Sequence, residues 1–145
     1  MKAFSRDYDL VVVDCAPEAS TVSENVINFS DLIIVPVIPN PLSINTFEKL
    51  ITFVREVGNK SPVIYAAFNM VDRRKYLHKQ LLETYLNKDP RFLRNYIPAS
   101  SSIEHMTSNR APLETYIPRS LSTTAFTDLT EEILNLMCRS GSSGK

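Results

Sequence analysis

The chain has 145 residues, of which 43% are hydrophobic and 22% charged, so it can bury the core of one ordinary domain. Its 16 basic and 16 acidic residues cancel, which excludes a strong overall positive field for nucleic acid or an anionic membrane. No run approaches the ~20 apolar residues of a transmembrane helix, and residues 1–10 lack a signal-peptide core. The two cysteines, Cys15 and Cys138, form no CxxC pair. We therefore expect a cytoplasmic protein with free thiols and no membrane association.

Three apolar runs in the first half of the chain predict strands that are buried on both faces. They cover residues 10–13 (LVVV), Leu32–Val37 and Val63–Phe68, and none alternates apolar with polar residues. Strands of this kind belong to parallel sheets that helices cover on both sides. Residues 96–98 (YIP) predict a short fourth strand.

Helical patterns separate and follow these strands. They predict a short helix after the first strand, a second from Ser43 as N-cap to Gly58 as C-cap, a third over residues 74–87 and a last one over 122–139. The residues predicted to face inward are Val22, Val26, Ile27 and Phe29; Ile44, Phe47, Leu50, Ile51, Val54 and Val57; Leu77, Leu81, Leu82 and Tyr85; and Phe126, Leu129, Ile133, Leu134 and Met137. This alternation predicts an α/β domain over residues 1–139, with a mostly parallel sheet flanked by helices, and a flexible tail over 140–145.

The carboxyl ends of the predicted strands are where a ligand site is expected, since ligands of parallel sheets bind there. Asp14 and residues 36–41, 69–72 and 98–102 follow strands and would meet on one rim. Asp14 suits either a Mg²⁺ ion held near phosphates or the cap of the next helix. Asn69 both donates and accepts, which suits an adenine edge, but a turn role fits it equally.

The other polar residues are less specific. The cluster Arg73-Arg74-Lys75 begins a helix and suits either a solvated face or contact with phosphate. His78 and His105 have no carboxylate or cysteine at ligand spacing, so we expect surface or packing roles for both. An unrelated parallel α/β enzyme would need a nucleophile on the rim. Cys15 is the candidate for it, and no histidine is placed to activate this thiol.

Taken in order, these segments resemble the ParA/MinD family of deviant Walker ATPases, and ParA-like members most. YDLVVVDCAP (residues 8–17) is similar to the Walker B segment, and SDLIIVPVIPNPLSINTFEKL to the strand, loop and helix after it. FNMVDRR is similar to the segment that carries an adenine-contacting asparagine. The stretch from IPASSS to the last helix resembles the family's I-P, short helix, tyrosine and P-x-S pattern. The resemblance spans residues 10–137 and implies a P-loop NTPase fold of the SIMIBI type, which is Rossmann-like.

The resemblance also implies ATP and Mg²⁺ as cofactors. Asp14 would lie near Mg²⁺ through water, and Asn69, Pro98 and Ala99 would surround the adenine. The implied function is an ATPase that partitions plasmid or chromosomal DNA, or positions another cellular cargo, through ATP-dependent dimerisation. Its partners would be a second copy of the chain and a ParB-like or other adaptor protein.

The sequence departs from the family pattern in its phosphate-binding part. It contains no K-G-G-x-G-K-[ST] loop, and its three glycines lie at positions 58, 141 and 144. The chain therefore corresponds to the C-terminal part of a ParA-like ATPase domain, and we expect it to hydrolyse ATP negligibly by itself. Two interpretations stay open: a fragment of an ATPase, or a degenerate ParA-like protein that binds a partner without catalysis.

DNA binding is weakly supported by the sequence. Many DNA-binding ParA proteins carry arginines in the turn after I-P, whereas this turn reads ASSS over residues 99–102. The candidates that remain for contact with DNA or phosphate are Arg73, Arg74, Arg110 and Arg119.

Overall fold

The computed structural model describes residues 7–15, 21–58 and 62–141. Within these ranges the elements are α1 (Thr21–Phe29), β1 (Leu32–Val37), α2 (Pro41–Val57), β2 (Val63–Phe68), α3 (Tyr76–Lys88), α4 (Ser101–Asn109), α5 (Leu113–Tyr116) and α6 (Leu121–Gly141). β1 and β2 pair in parallel, from Leu32 opposite Val63 to Val37 opposite Phe68. The predicted α/β class, with a parallel sheet and flanking helices, is confirmed. No helix in the described ranges is long and apolar enough to cross a membrane.

The β1–α2–β2 unit forms where the sequence predicts it, but α2 begins earlier than expected. Its N-cap is Asn40, whose side chain accepts a hydrogen bond from the Ser43 amide at 2.8 Å. Ser43 was predicted as the cap, and this was wrong because Asn40 precedes Pro41, which is well suited to the first helical turn. The C-cap Gly58 is confirmed, and its amide donates to the Val54 carbonyl at 2.9 Å.

An aromatic cluster forms the centre of the core. Phe92 lies between three other rings, with centroid distances of 4.8 Å to Phe68, 4.8 Å to Tyr85 and 5.4 Å to Phe47. These rings come from β2, α3 and α2, whereas Phe92 belongs to neither a helix nor a strand. Edge-to-face and tilted aromatic pairs of this kind contribute beyond the apolar area that they bury. Residues around Phe92 are therefore fixed by packing.

Residues 91–99, called here the edge segment, run along the second edge of β2. The Ala66 amide donates to the Arg91 carbonyl and the Leu93 amide to the Ala66 carbonyl, both at 2.8 Å. Further along, the Val71 amide donates to the Ile97 carbonyl at 3.0 Å. The strand predicted at residues 96–98 is thus a parallel bridge between Val71 and Pro98, not a regular strand. The interruption lies at residues 94 and 95, which do not pair with β2.

The strand predicted at residues 10–13 is not formed, and this prediction was wrong. Leu10, Val11, Val12 and Val13 are 44%, 47%, 83% and 43% exposed, in a segment without regular structure. A strand needs a neighbour that satisfies its backbone amides and carbonyls. Among the described residues, β1 pairs with β2 and not with this segment. A run of apolar residues predicts burial, but it does not supply a partner strand.

Helices α1, α3 and α6 confirm the predicted positions, with shifts at their ends. α3 begins at Tyr76 and buries His78 and Leu82. α6 continues to Gly141, two residues past the helix end predicted at 139, and residues 142–145 lie outside the described residues. The side chain of Val22 also lies outside them. Three residues that were predicted to face inward are exposed, namely Phe29 (59%), Leu77 (42%) and Leu134 (43%).

Candidate functional site

Three loops meet at the carboxyl end of the sheet, and residues 38–40, 69–75 and 98–100 are called here the carboxyl rim. The Asn69 amide donates to the Val37 carbonyl at 2.9 Å, which joins the loop after β2 to the end of β1. The Ala99 amide donates to the Val71 carbonyl at 2.9 Å, which joins the edge segment to the same loop. Backbone pairing therefore brings three of the four predicted rim loops together.

Asn69 is held in one orientation by its own backbone. Its Oδ1 accepts a hydrogen bond from the Met70 amide at 2.9 Å. Met70 has a φ of 54°, in the left-handed region that non-glycine residues seldom adopt, and this hydrogen bond supports it. The Nδ2 group of Asn69 makes no hydrogen bond within the described residues. It is available to donate to a base, whereas Oδ1 is already engaged.

Pro98 and Ala99 lie on the segment next to Asn69. Pro98 is half-buried and bridges to Val71, while Ala99 is exposed. The Ala99 amide is engaged with the Val71 carbonyl, and the side chains of the two residues are a pyrrolidine ring and a methyl group. Small apolar surfaces beside a free amide donor fit the face and edge of a purine base. The three residues predicted to bind the nucleotide are thus on neighbouring segments of one rim.

Asp72 and Arg74 form a bidentate ion pair at the start of the turn before α3. Arg74 Nε and Nη2 each lie 3.0 Å from a carboxylate oxygen of Asp72, and the Arg74 amide donates to Oδ1 at 3.0 Å. These hydrogen bonds lower the pKa of Asp72 from 3.8 to about 2. The positive charge of Arg74 is therefore partly neutralised by the Asp72 carboxylate in the same turn. Arg73, also exposed, makes no ion pair within the described residues and is the better candidate for an external phosphate.

His78 also stabilises the turn at Asp72. Its side chain is buried, at 7% exposure, and Nδ1 accepts a hydrogen bond from the Asp72 amide at 3.0 Å. Nδ1 therefore acts as a hydrogen-bond acceptor in this arrangement. The sequence predicts a surface or packing role for His78, and the packing role is confirmed. Its hydrogen bond to a residue six positions earlier follows no helical or strand period, so no signal in the sequence pointed to it.

Asp14 is exposed in the irregular segment over residues 7–15, and no hydrogen bond within the described residues joins it to Asn69 or Pro98. Its role toward Mg²⁺ stays a prediction. A carboxylate is the ligand type that Mg²⁺ takes, so the chemistry of Asp14 fits the ion even though its position in the sheet is not formed. Across the described ranges, no three His, Cys, Asp or Glu side chains cluster as a metal site.

Arg110 and Arg119 lie in the turns on either side of α5. Arg110 ends α4 with a φ of 47°, and both side chains are exposed. Arg73 and Arg74 precede α3, whereas Arg110 and Arg119 flank α5, so the four candidate arginines come from two parts of the chain.

Two groups of hydrogen bonds made by charged side chains hold the edge segment in place, and neither was predicted from the sequence. Arg91 donates to Glu48 on α2, with Nη1 and Nη2 at 2.9 and 2.6 Å, and Nη2 to Asp89 at 2.6 Å. Its guanidinium lies 5.7 Å from the centroid of the Phe47 ring. The two carboxylates raise the pKa of Arg91, and Arg91 lowers the pKa of Asp89. The second cluster is centred on Glu132 of α6, which accepts hydrogen bonds from residues 94 and 95.

Comparison with known proteins identifies two relatives that align with most of the chain. It is 25% identical over 139 residues to the sporulation initiation inhibitor protein Soj of Bacillus subtilis (strain 168), covering 92% of this chain and 54% of Soj. It is also 25% identical over 149 residues to a ParA family protein of Mycoplasma pneumoniae, covering 94% of this chain and 54% of that protein. The chain thus spans about half the length of these relatives.

A family model described as an AAA domain matches residues 1–65, which include β1, α2 and the segment that carries Asp14. The two relatives extend the similarity over more than nine-tenths of the chain. This agrees with the ordered motifs in the sequence and with the parallel sheet. Together, the family-model match and the two relatives support membership of the ParA/MinD-like ATPase family over most of this chain.

Proposed function

We propose that the chain forms the base-binding side of a ParA-like ATPase that partitions DNA or positions another cellular cargo through ATP-dependent dimerisation. The observation that supports the proposal is the backbone pairing that brings the loop after β2, which carries Asn69, next to the segment of Pro98 and Ala99. Soj and the ParA family protein support the ATPase family. The role in partition, the dimerisation and the binding of a ParB-like adaptor are parts of this proposal.

Each rim residue has a defined task in this function. Asn69 donates a hydrogen bond from Nδ2 to the base, because its Oδ1 is taken by the Met70 amide. Pro98 and Ala99 pack against the base, and His78 keeps the turn at Asp72 in place. Asp14 would hold Mg²⁺ through water, and the ion would neutralise charge on the phosphates.

The experiment is a titration of this chain with a fluorescent ATP analogue, with and without Mg²⁺. We expect Asn69→Ala to weaken binding about fivefold to tenfold, the loss of one hydrogen bond of about 1–1.5 kcal/mol. Asn45→Ala is the matched control, because Asn45 is an exposed asparagine on α2, away from the rim. We expect Asp14→Ala to remove the effect of Mg²⁺. Equal effects of the two asparagine variants, or no saturable binding up to about millimolar nucleotide, would contradict the proposal.

Contact with DNA is tested separately. If Arg73 contacts a phosphate, Arg73→Ala should weaken DNA binding for all sequences and reduce the salt slope by about one. Arg74→Ala is the comparison, because Arg74 is already paired with Asp72. Binding that is unaffected by Arg73→Ala would remove this residue from any DNA contact.

A second candidate function is a ParA-like interaction module without catalysis. The exposed apolar residues 10–13 favour it, because a run of this kind is a ready surface for another chain. In that case the chain would self-associate, or bind an adaptor, without nucleotide, and Val12→Asp would abolish the association in sedimentation experiments. A monomer that binds ATP would exclude this candidate.

A further inference from the structure

We propose that Glu132, near the middle of α6, is a positioning residue for the carboxyl rim. It holds the interruption of the edge segment and thereby determines where Pro98 and Ala99 lie against Val71. Glu132 is not itself placed against the base. Because this rim is the base side of the nucleotide site proposed above, the inference rests on that proposed function.

The Glu132 carboxylate accepts three hydrogen bonds from two successive residues. Oε1 accepts from the Arg94 amide at 2.8 Å, and Oε2 accepts from the Asn95 amide and from Asn95 Nδ2, both at 2.9 Å. Asn95 Nδ2 also lies 3.2 Å from the Asp128 carbonyl, one turn earlier on α6. A carboxylate that accepts from consecutive amides makes charge-assisted bonds, which are about twice as strong as neutral ones. The bonds join residues 37 and 38 positions apart in the sequence.

These hydrogen bonds lie where the edge segment loses its register with β2. The Leu93 amide donates to the Ala66 carbonyl and the Ile97 amide to the Phe68 carbonyl, so two positions on β2 face four on the edge segment. The two extra residues form a bulge, and the amides of Arg94 and Asn95 have no partner on β2. Glu132 satisfies both amides and so fixes the bulge at this place. Moving the bulge by one residue would shift the following backbone by about 3.3 Å and reverse the faces of its side chains.

The rim lies immediately after this bulge. The Ile97 amide donates to the Phe68 carbonyl at 2.9 Å, and the Val71–Pro98 bridge and the Ala99 hydrogen bond follow. The position of Pro98 and Ala99 on the segment next to Asn69 therefore depends on where the two extra residues lie. A side chain on α6 thus determines the geometry of a site that it does not touch.

The first test is amide hydrogen exchange in Glu132→Gln, which has the same shape but no charge. We expect exchange at Arg94 and Asn95 to accelerate at least about tenfold, as for loss of a hydrogen bond to a charged group. We expect Val71 and Ala99 to accelerate as well, while Ala66 changes little. Acceleration confined to residues 94 and 95 would overturn the proposal, because Glu132 would then have only a local role.

Glu131→Gln is the matched control, because Glu131 is the exposed neighbour on α6 and makes no hydrogen bond within the described residues. Its exchange should match the wild-type chain at every rim amide. Glu132→Asp is the second variant, for use if Glu132→Gln does not fold. It keeps the charge on a shorter side chain that reaches the two amides less well, so exchange at Ala99 should be faster than in the wild-type chain, and wild-type exchange at Ala99 would overturn the proposal.

The second test separates this inference from the proposed function. Glu132→Gln should weaken binding of the fluorescent ATP analogue about threefold to tenfold, yet leave binding of inorganic tripolyphosphate unchanged, because only the base side is moved. Equal loss for both ligands, or the same ATP affinity as Glu131→Gln, would overturn the positioning role. If the wild-type chain binds no ATP, the proposed function fails, and the exchange experiment alone decides whether Glu132 controls the rim.

Discussion

Val12 offers the sharpest test of how the segment before Asp14 is arranged. In the structure it is 83% exposed, although its sequence context predicts a buried strand. The perturbation is Val12→Thr, which keeps the shape and the strand propensity of the side chain and adds a hydroxyl. The matched variant is Val37→Thr in β1, where the side chain is 1% exposed. Both valines lie in apolar runs of similar composition, so the comparison isolates burial.

The expected magnitudes follow from these exposures. Fully burying a valine side chain is worth about 1.5–3 kcal/mol, so the small part of Val12 that is covered accounts for about 0.3–0.5 kcal/mol. A hydroxyl at this position stays in water, and the free energy of unfolding should change by less than about 0.5 kcal/mol. At Val37 the hydroxyl is buried in an apolar cluster, which costs about 1–3 kcal/mol without a partner.

The assay is urea denaturation followed by far-ultraviolet circular dichroism, because the chain has no tryptophan for fluorescence. The midpoint should be near the wild-type value for Val12→Thr and clearly lower for Val37→Thr, with equal m-values. A loss at Val12 as large as that at Val37 would refute the exposed arrangement. It would mean that residues 10–13 are packed as a strand in solution, and Asp14 would then lie at a strand end as its sequence context predicts.

Three further predictions concern the carboxyl rim. Arg74→Ala should raise the pKa of Asp72 from about 2 toward 3.8 in a carboxyl NMR titration, whereas Arg73→Ala should leave this pKa low. Because the pKa of Asp72 is depressed in the folded state, the stability that the ion pair provides is complete above about pH 4 and is lost as the pH falls toward 2. His78→Leu should lower the free energy of unfolding by about 1–3 kcal/mol in the same urea assay, because it leaves the Asp72 amide unsatisfied. His78→Asn keeps a hydrogen-bond acceptor, so it should lower the free energy of unfolding by about half as much. Asn40→Ala should cost about 1 kcal/mol by removing the cap of α2, and Asn40→Asp should be near wild type by thermal denaturation.

The elements that the sequence predicts correctly are those whose signals are local. β1 and β2 are continuous apolar runs, and α2 carries apolar residues at helical spacing and ends at the predicted cap Gly58. The first part of the edge segment, residues 91–95, could not be predicted in this way, because RFLRN has neither period. Its shape depends on Phe92 entering an aromatic cluster and on Glu132, which is 37 residues from Asn95. Contacts of that separation leave no pattern in a single sequence.

The same difference between local and long-range signals applies to the candidate site. Asn69 and Pro98 were predicted from their places after strands, and backbone pairing with Val37 and Val71 brings them to one rim. Asp14 was predicted by the same rule, but the rule requires a formed strand, and residues 10–13 have no partner in the described sheet. The rule therefore holds only where a neighbouring strand exists. His78 could not be found by any positional rule, since its role depends on the fold of the turn at Asp72.

The rim depends on two helices that lie far apart in the sequence. Arg91 fastens the beginning of the edge segment to Glu48 on α2, and Glu132 fastens its middle to α6. The backbone hydrogen bonds of the segment do not form a continuous ladder, so these charged side chains contribute to its position alongside the aromatic packing of Phe92. Half-exposed charge pairs weaken with salt, whereas the aromatic core does not. Rising ionic strength should therefore loosen the rim at Pro98 before it affects the sheet, and nucleotide binding should respond to salt earlier than the unfolding midpoint does.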